Sequence, residues 1–191
     1  MTEYDQESDD RLLMRCAEGD EEAFAVLYRR RQAGVYRFAL HMSGRDHVAE
    51  EVTQEVFLAL IREPQRYQSG KGTVVSWLYG IARNHVLRLL ERDRRELPVE
   101  PEWQSEVPCE REDLLGRLTR EQAIDALRNA ILTLPETYRE AVVLCDLEEM
   151  QYADAAAVLG VPVGTVRSRL NRGRGMLSEK LRRGNAMRCS A

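Results

Sequence analysis

Arg167, Ser168, Arg169, Asn171, Arg172 and Arg174 crowd the stretch RSRLNRGRG, which starts five residues after Pro162 of the Gly160-Val161-Pro162 sequence. Guanidinium and amide groups at that density suit one chemistry above others. They bridge phosphates and, from an exposed helix, hydrogen-bond base edges in a major groove. A second group, Trp77, Tyr79, Asn84 and His85 with Arg83, Arg88, Arg92, Arg94 and Arg95, follows the glycine-containing loop YQSGKGT. Aromatics interleaved with arginines and amides stack and track an unpaired strand, although Trp77, Leu78 and Ile81 also suit a core. A third group, Glu51, Gln54 and Glu55, falls on the side of its segment opposite Val52 and Val56. It reads either as a solvated acidic face or as a docking surface for a basic or amide-rich helix.

Catalytic chemistry is not indicated. His41, His47 and His85 are dispersed, and no nucleophile stands at usable spacing from a base. Cys16, Cys109, Cys145 and Cys189 form no C-x-x-C pair and have no histidine at ligand spacing. Unpaired thiols, no metal and no cofactor are expected.

The elements that must carry these groups are helical. Apolar residues recur at helical spacing over Glu21 to Ser43, with Phe24, Leu27, Tyr28, Val35, Phe38 and Met42 on one stripe. The same holds over Asp46 to Arg62, stopped by Pro64, and over Thr73 to about Arg94, with a short leading helix at Asp9 to Glu18. After a break, Leu118, Ile124, Leu127, Ile131 and Leu134 resume the pattern, and Pro135 opens a helix carrying Tyr138, Val142, Val143 and Leu147. Two more helices are expected, Tyr152 to Leu159 and about Pro162 to Arg182. The alanines of the first allow close crossing, Gly160 ends it, and Val166 and Leu170 hold the second to the bundle. That is the layout of a helix-turn-helix. Gly173 and Gly175 interrupt the basic helix with poor helix formers, so its second half is expected to fray.

Between the two helical stretches, RRELPVEPEWQSEVPCERED holds three prolines and many carboxylates without periodicity. It has little to bury and reads as an extended acidic linker. The fold class is therefore all-α: two small helical bundles, 1–94 and 116–183, joined by a linker at 95–115 and followed by a tail at 184–191. Formal charge is −4, yet Arg167 onward carries seven arginines and Lys180 against Glu179 alone. Segregated charge of this kind governs partner choice more than its sum does. No run approaches the ~20 apolar residues of a membrane span, and the acidic start lacks a secretory layout, so a cytoplasmic protein without membrane insertion is expected.

The segments VTQEVFLAL, WLYGIARNHVLRLLERDRR, LPETYREAVVL and VLGVPVGTVRSRLNRGRG together resemble bacterial RNA polymerase sigma factors of the extracytoplasmic-function (ECF) group, over Asp9 to Arg183. The resemblance implies a non-catalytic subunit that binds core RNA polymerase and directs promoter-specific initiation, with an anti-sigma factor as a further partner. By resemblance, Glu51, Gln54 and Glu55 dock on the polymerase clamp. Ser69, Gly70, Lys71, Arg83, Asn84 and Arg88 engage the melted non-template strand of the minus-ten element. Thr165, Arg167, Ser168, Arg169, Asn171 and Arg172 read the minus-thirty-five duplex. The linker, through Glu100, Glu102, Glu106 and Glu110, would occupy the cationic RNA path. Met150-Gln151 and the following YADAA depart from the usual pattern before and within the helix-turn-helix. Two rivals stand beside this reading. A stand-alone helix-turn-helix regulator would grip duplex DNA without polymerase, and a DNA-acting enzyme would need a catalytic cluster.

Overall fold

The computed structural model describes residues 3–70, 72–96 and 120–189. Lys71, most of the expected linker and Cys109 lie outside them. The described elements are helical: α1 (Asp9–Ala17), α2 (Glu21–Ser43), α3 (Asp46–Arg62), α4 (Val74–Glu96), α5 (Arg120–Leu132), α6 (Glu136–Val142), α7 (Tyr152–Leu159) and α8 (Val163–Cys189).

 A short 3₁₀ turn (Glu3–Gln6) precedes α1, a second (Pro64–Arg66) follows α3, and α7 spans Tyr152–Leu159.

Local chemistry sets the boundaries. Asp20 caps α2 by accepting from the Glu22 and Ala23 amides, each at 3.0 Å. Gly44 ends that helix at φ +72°, in the left-handed region where glycine carries no Cβ penalty. Thr73 starts α4 by accepting from the Ser76 amide at 3.1 Å. Much of the acidic N-terminus is held by arginines: Asp9 receives Arg30 at 3.1 Å and Arg31 Nε at 2.6 Å, and Asp20 receives Arg15 at 2.8 Å.

The first four helices enclose Leu12, Leu27, Phe38, Met42, Leu60 and Leu78, all at 0% exposure. The C-terminal helices close over Ile131, Leu134, Leu144, Val166 and Leu170. Three sequence expectations are corrected. The helix opened by Pro135 is not α-helical throughout: an α-helical start (Glu136–Val142) passes at Val143 into a wider π-helical turn (Val143–Leu147). Phe24 and Tyr28 leave the core stripe and flank Phe57 in an open groove, with ring centroids 6.4 and 4.6 Å from it. The basic helix does not fray after Gly173; α8 runs unbroken to Cys189, past the expected end at Arg182.

The two bundles also pack on each other. The Gly44 backbone meets Leu132 of α5, so closely that a Cβ there would lie 2.7 Å from the Leu132 Cδ1. Arg139 of α6 donates to the Met42 carbonyl of α2 at 2.6 Å. His41 lies close to this junction, with its Nδ1 buried and lacking a hydrogen-bond partner. Burial holds its pKa below the ordinary 6.5, because the imidazolium would lose hydration. The unfolded chain therefore binds the extra proton first, and stability falls as pH drops from about 6.5 towards the lower folded value. A His41→Gln chain is expected to show a flatter dependence in that window, measured by urea melts at stepped pH.

Candidate nucleic-acid and polymerase interfaces

The C-terminal site is built on α7, a turn and α8. Gly160 ends α7 at φ +64°, and the Val161 amide returns to the Ala156 carbonyl at 3.1 Å. Val166 at 0% and Leu170 at 2% exposure then fix the rotation of α8. That rotation leaves Arg167, Ser168, Asn171 and Arg172 exposed, with Thr165 and Arg169 half-buried beside them. Arg167 also lies over the Tyr152 ring, 5.7 Å from its centroid, which ties the base of its guanidinium to α7. Arg174 is spoken for: its Nε donates to Asp146 at 3.0 Å. The outward face is cationic and amide-bearing over two helical turns, as binding in a groove of duplex DNA requires.

Gly173, read from sequence as a weak point, is a close approach. It is buried, and a Cβ there would lie 2.7 Å from Val142 Cγ2 and 3.3 Å from the Tyr138 carbonyl oxygen. Gly175 has nothing within 4 Å. The two alanine substitutions should therefore differ in sign. Gly175→Ala is expected to stabilise by up to about 1 kcal/mol through helix propensity alone. Gly173→Ala is expected to destabilise by about 1 kcal/mol, as overpacking against a stiff valine outweighs the same gain. Thermal melts of the two single variants check this.

The N-terminal site lies between α3, the Pro64–Arg66 turn and α4. Tyr67, Gln68, Thr73, Trp77, Asn84 and His85 line one open cavity, with Glu55 on its far wall. Tyr67 stacks at a tilt against Trp77, 5.7 Å between centroids, and its hydroxyl bonds Asp10. Trp77 is thus half-buried, lining a cavity as well as supporting the core. Asn84, Arg88, Ser69 and Gly70 are exposed around this cavity or its approach. Arg88 lies within 2.9 Å of His85 Nδ1, and burial keeps the His85 pKa below its ordinary value, helped by the Arg88 charge. Arg83 is not on the open face. Its Nε donates to Glu140 of α6 at 2.6 Å, across the junction of the two bundles.

Glu51, Gln54 and Glu55 separate more than their spacing suggested. Glu51 and Gln54 are exposed and Glu55 is half-buried. Glu55 faces the α4 cavity, whereas Gln54 borders the groove of Phe24, Tyr28, Phe57 and Ile61. Ile61 is 56% exposed there, an apolar group that sequence periodicity gave no reason to notice. Among the described residues, no cluster of His, Cys, Asp or Glu has the arrangement of a metal site. Burial raises the thiol pKa of Cys16 to about 11 and also raises that of Cys145, so neither is an activated nucleophile. No helix of the described residues is long and apolar enough to cross a membrane.

Comparison with known proteins assigns both halves. Residues 27–96 match the family model Sigma-70 region 2, and residues 124–177 match Sigma-70, region 4. The ECF RNA polymerase sigma factor SigE of Mycolicibacterium smegmatis is 39% identical over 170 residues, covering 86% of this chain and 65% of that protein. SigC of Mycobacterium tuberculosis is 33% identical over 183 residues, covering 92% of each chain. The ECF RNA polymerase sigma-E factor of Haemophilus influenzae is 30% identical over 190 residues, covering 93% of this chain and 97% of its own. Among solved structures, CnrH in complex with the cytosolic domain of CnrY superposes with a TM-score of 0.69 at 23% identity, covering 92% of this chain and 97% of that one. RpoE of Bartonella quintana, in complex with the anti-sigma factor NepR, gives 0.63 at 24%, covering 81% and 94%. These two share the fold. With region 2 on the bundle that holds the aromatic cavity and region 4 on the helix-turn-helix, the chain belongs to the ECF group of RNA polymerase sigma factors.

Proposed function

We propose that this sigma factor directs initiation through three surfaces, each assigned to one partner. The exposed face of α8, from Thr165 to Arg172, reads the minus-thirty-five duplex. The cavity of Trp77 and Asn84, with Ser69, Gly70, Lys71 and Arg88 around it, takes the melted non-template strand of the minus-ten element, and Arg83 joins it once released from Glu140. Glu51, Gln54 and Glu55, with the apolar groove beside Gln54, dock on core polymerase. The observation that carries this reading is the pairing of two unlike nucleic-acid surfaces in one chain. One is a protruding basic helix suited to a groove, the other a concave aromatic cavity suited to an unstacked base.

Extruding a base costs a few kcal/mol, which stacking on Trp77 and phosphate contacts offset. The reading places the protein in the cytoplasm with the polymerase, and the shared fold of CnrH and RpoE supports an anti-sigma partner. The acidic linker residues Glu100, Glu102, Glu106 and Glu110 lie outside the described residues, and their proposed role in the RNA path rests on charge alone. The deciding experiment adds the purified chain to core polymerase and maps the transcripts. Defined start sites that appear only with the chain are expected. Tight duplex binding by the chain alone, with no association with core polymerase, would favour a stand-alone regulator instead.

A further inference from the structure

Asp9 and Asp10 open α1, and their carboxylates serve different elements. Asp9 is held by Arg30 and Arg31 of α2, at 3.1 and 2.6 Å. Asp10 accepts from the hydroxyl of Tyr67, the residue that follows the Pro64–Arg66 turn. Both partners are half-buried. The same hydroxyl lies 3.1 Å from the Gly72 carbonyl oxygen, where the chain enters α4. Gly72 in turn sits against the first turn of that helix. A Cβ on it would lie 2.8 Å from Ser76 Oγ, which already donates to the Thr73 carbonyl at 2.8 Å. One hydroxyl therefore joins α1 to the backbone leading into α4. Tyr67, Gly72 and Ser76 all line the cavity that holds Trp77 and Asn84, whereas Asp10 does not.

We propose that Asp10 is a positioning residue for strand binding: through the Tyr67 hydroxyl, α1 sets the aromatic wall of the cavity and the backbone at Gly72. The inference rests on the assignment of that cavity to the melted strand. A hydroxyl has one proton, so Asp10 and Gly72 share it, and the charged acceptor takes the larger part. Without that bond, the Tyr67 ring would be restrained chiefly by its tilted contact with Trp77, 5.7 Å between centroids. A ring free to turn can close onto its aromatic neighbour and fill the space a base needs, so the strand would have to reorder the wall as it binds. Holding the ring in place beforehand removes that ordering cost. The first helix suits the task because the Ser8 cap and the pairing of Asp9 with Arg30 and Arg31 fix it independently of Asp10.

The test uses the full chain assembled with core polymerase. Fluorescence anisotropy reports binding of a short labelled single strand, copied from the non-template sequence upstream of a mapped start site. A labelled duplex carrying the minus-thirty-five half of the same promoter reports the other surface. Tyr67→Phe keeps the ring and should lower strand affinity about ten-fold, the factor expected when the competent wall is populated about a tenth of the time. Asp10→Ala should give the same loss from behind the hydroxyl, and duplex affinity should hold in both. Asp10→Asn keeps an oxygen that accepts the hydroxyl proton and should recover most of the strand affinity. The Asp10→Ala, Tyr67→Phe double variant should lose no more than either single one, because one hydrogen bond is lost only once. Additive losses, or a matching loss of duplex binding, overturn the inference. Asn84→Ala removes a cavity group and leaves the Asp10–Tyr67 bond intact. If it alone weakens strand binding, the cavity stands and the positioning role falls. If it and the other variants all bind as the wild type does, the assignment of the cavity falls, and the inference with it.

Discussion

A chain carrying both Arg167→Ala and Asn171→Ala is expected to lose promoter-specific transcription by at least about thirty-fold, because each base contact is worth roughly 1–3 kcal/mol and the two are largely independent. Both side chains are exposed, one helical turn apart, on a helix whose rotation is fixed by Val166 and Leu170. Alanine is the best helix former, so the fold should not suffer, and melting temperature serves as the control. Transcription from a mapped start site with reconstituted polymerase gives the measurement. Salt dependence separates the two kinds of contact. A residue that neutralises a phosphate flattens the slope of affinity against salt when removed, by about one unit, whereas a residue that reads a base changes sequence preference instead. Arg174→Ala should have a small effect on transcription, because its guanidinium is held by Asp146. Equal losses from Arg174→Ala and from the double variant would mean that the face is set by bulk charge.

The parts of this fold that sequence could anticipate are those determined within one or two helical turns. The bounds of α2 follow from Asp20 and Gly44, and α3 ends before Pro64, because caps and breakers act locally. The helix-turn-helix is legible for the same reason, since Gly160 and the Val166–Leu170 pair carry its geometry. What escaped depends on residues far apart in the chain. Arg83 and Glu140 are separated by 57 positions and Arg37 and Glu148 by 111. Glutamate in an amphipathic helix ordinarily faces water, so nothing local marks Glu140 as buried. Gly173 looked like a weakness because helix propensity sees only the backbone, whereas Val142 and Tyr138 determine its role. The π turn at Val143–Leu147 lacks a proline or glycine to announce it. Glu149 follows it at φ +52°, a conformation for which a glutamate gives no warning.

Of the site residues, those on α8 were legible in type and position, because a helix with one buried face must show the other. Glu51, Gln54 and Glu55, proposed here to dock on polymerase, were legible only as charge and amide. The groove of Phe24, Tyr28, Phe57 and Ile61 is lined by residues of both α2 and α3, and periodicity had assigned two of those residues to the core. An acidic and amide rim around an aromatic groove offers a partner helix apolar contact as well as ion pairing, which acidic residues alone would not.

Replacing Arg139 with alanine is expected to lower stability by about 3 kcal/mol, and the melting temperature by roughly 6–12 °C for a chain of this size. Its guanidinium is half-buried and donates to three backbone carbonyls: Met42 at 2.6 Å, Leu134 at 3.1 Å, and Leu132. Desolvation pulls its pKa below the ordinary arginine value, yet arginine stays charged throughout the accessible range. The Leu132 carbonyl is at the end of α5, where helical carbonyls lack partners, and that of Leu134 is in the turn just beyond; one planar fork satisfies both while reaching across to α2. Alanine would leave these acceptors without a donor that water easily replaces. Arg139→Lys should fall between the two, since an ammonium supplies the charge without the fork. Two of the three bonds stay within the C-terminal bundle and the third reaches α2, so Arg139→Ala should loosen both the end of α5 and the junction of the bundles. A loss well below this would mean that water satisfies the three carbonyls once the guanidinium is gone.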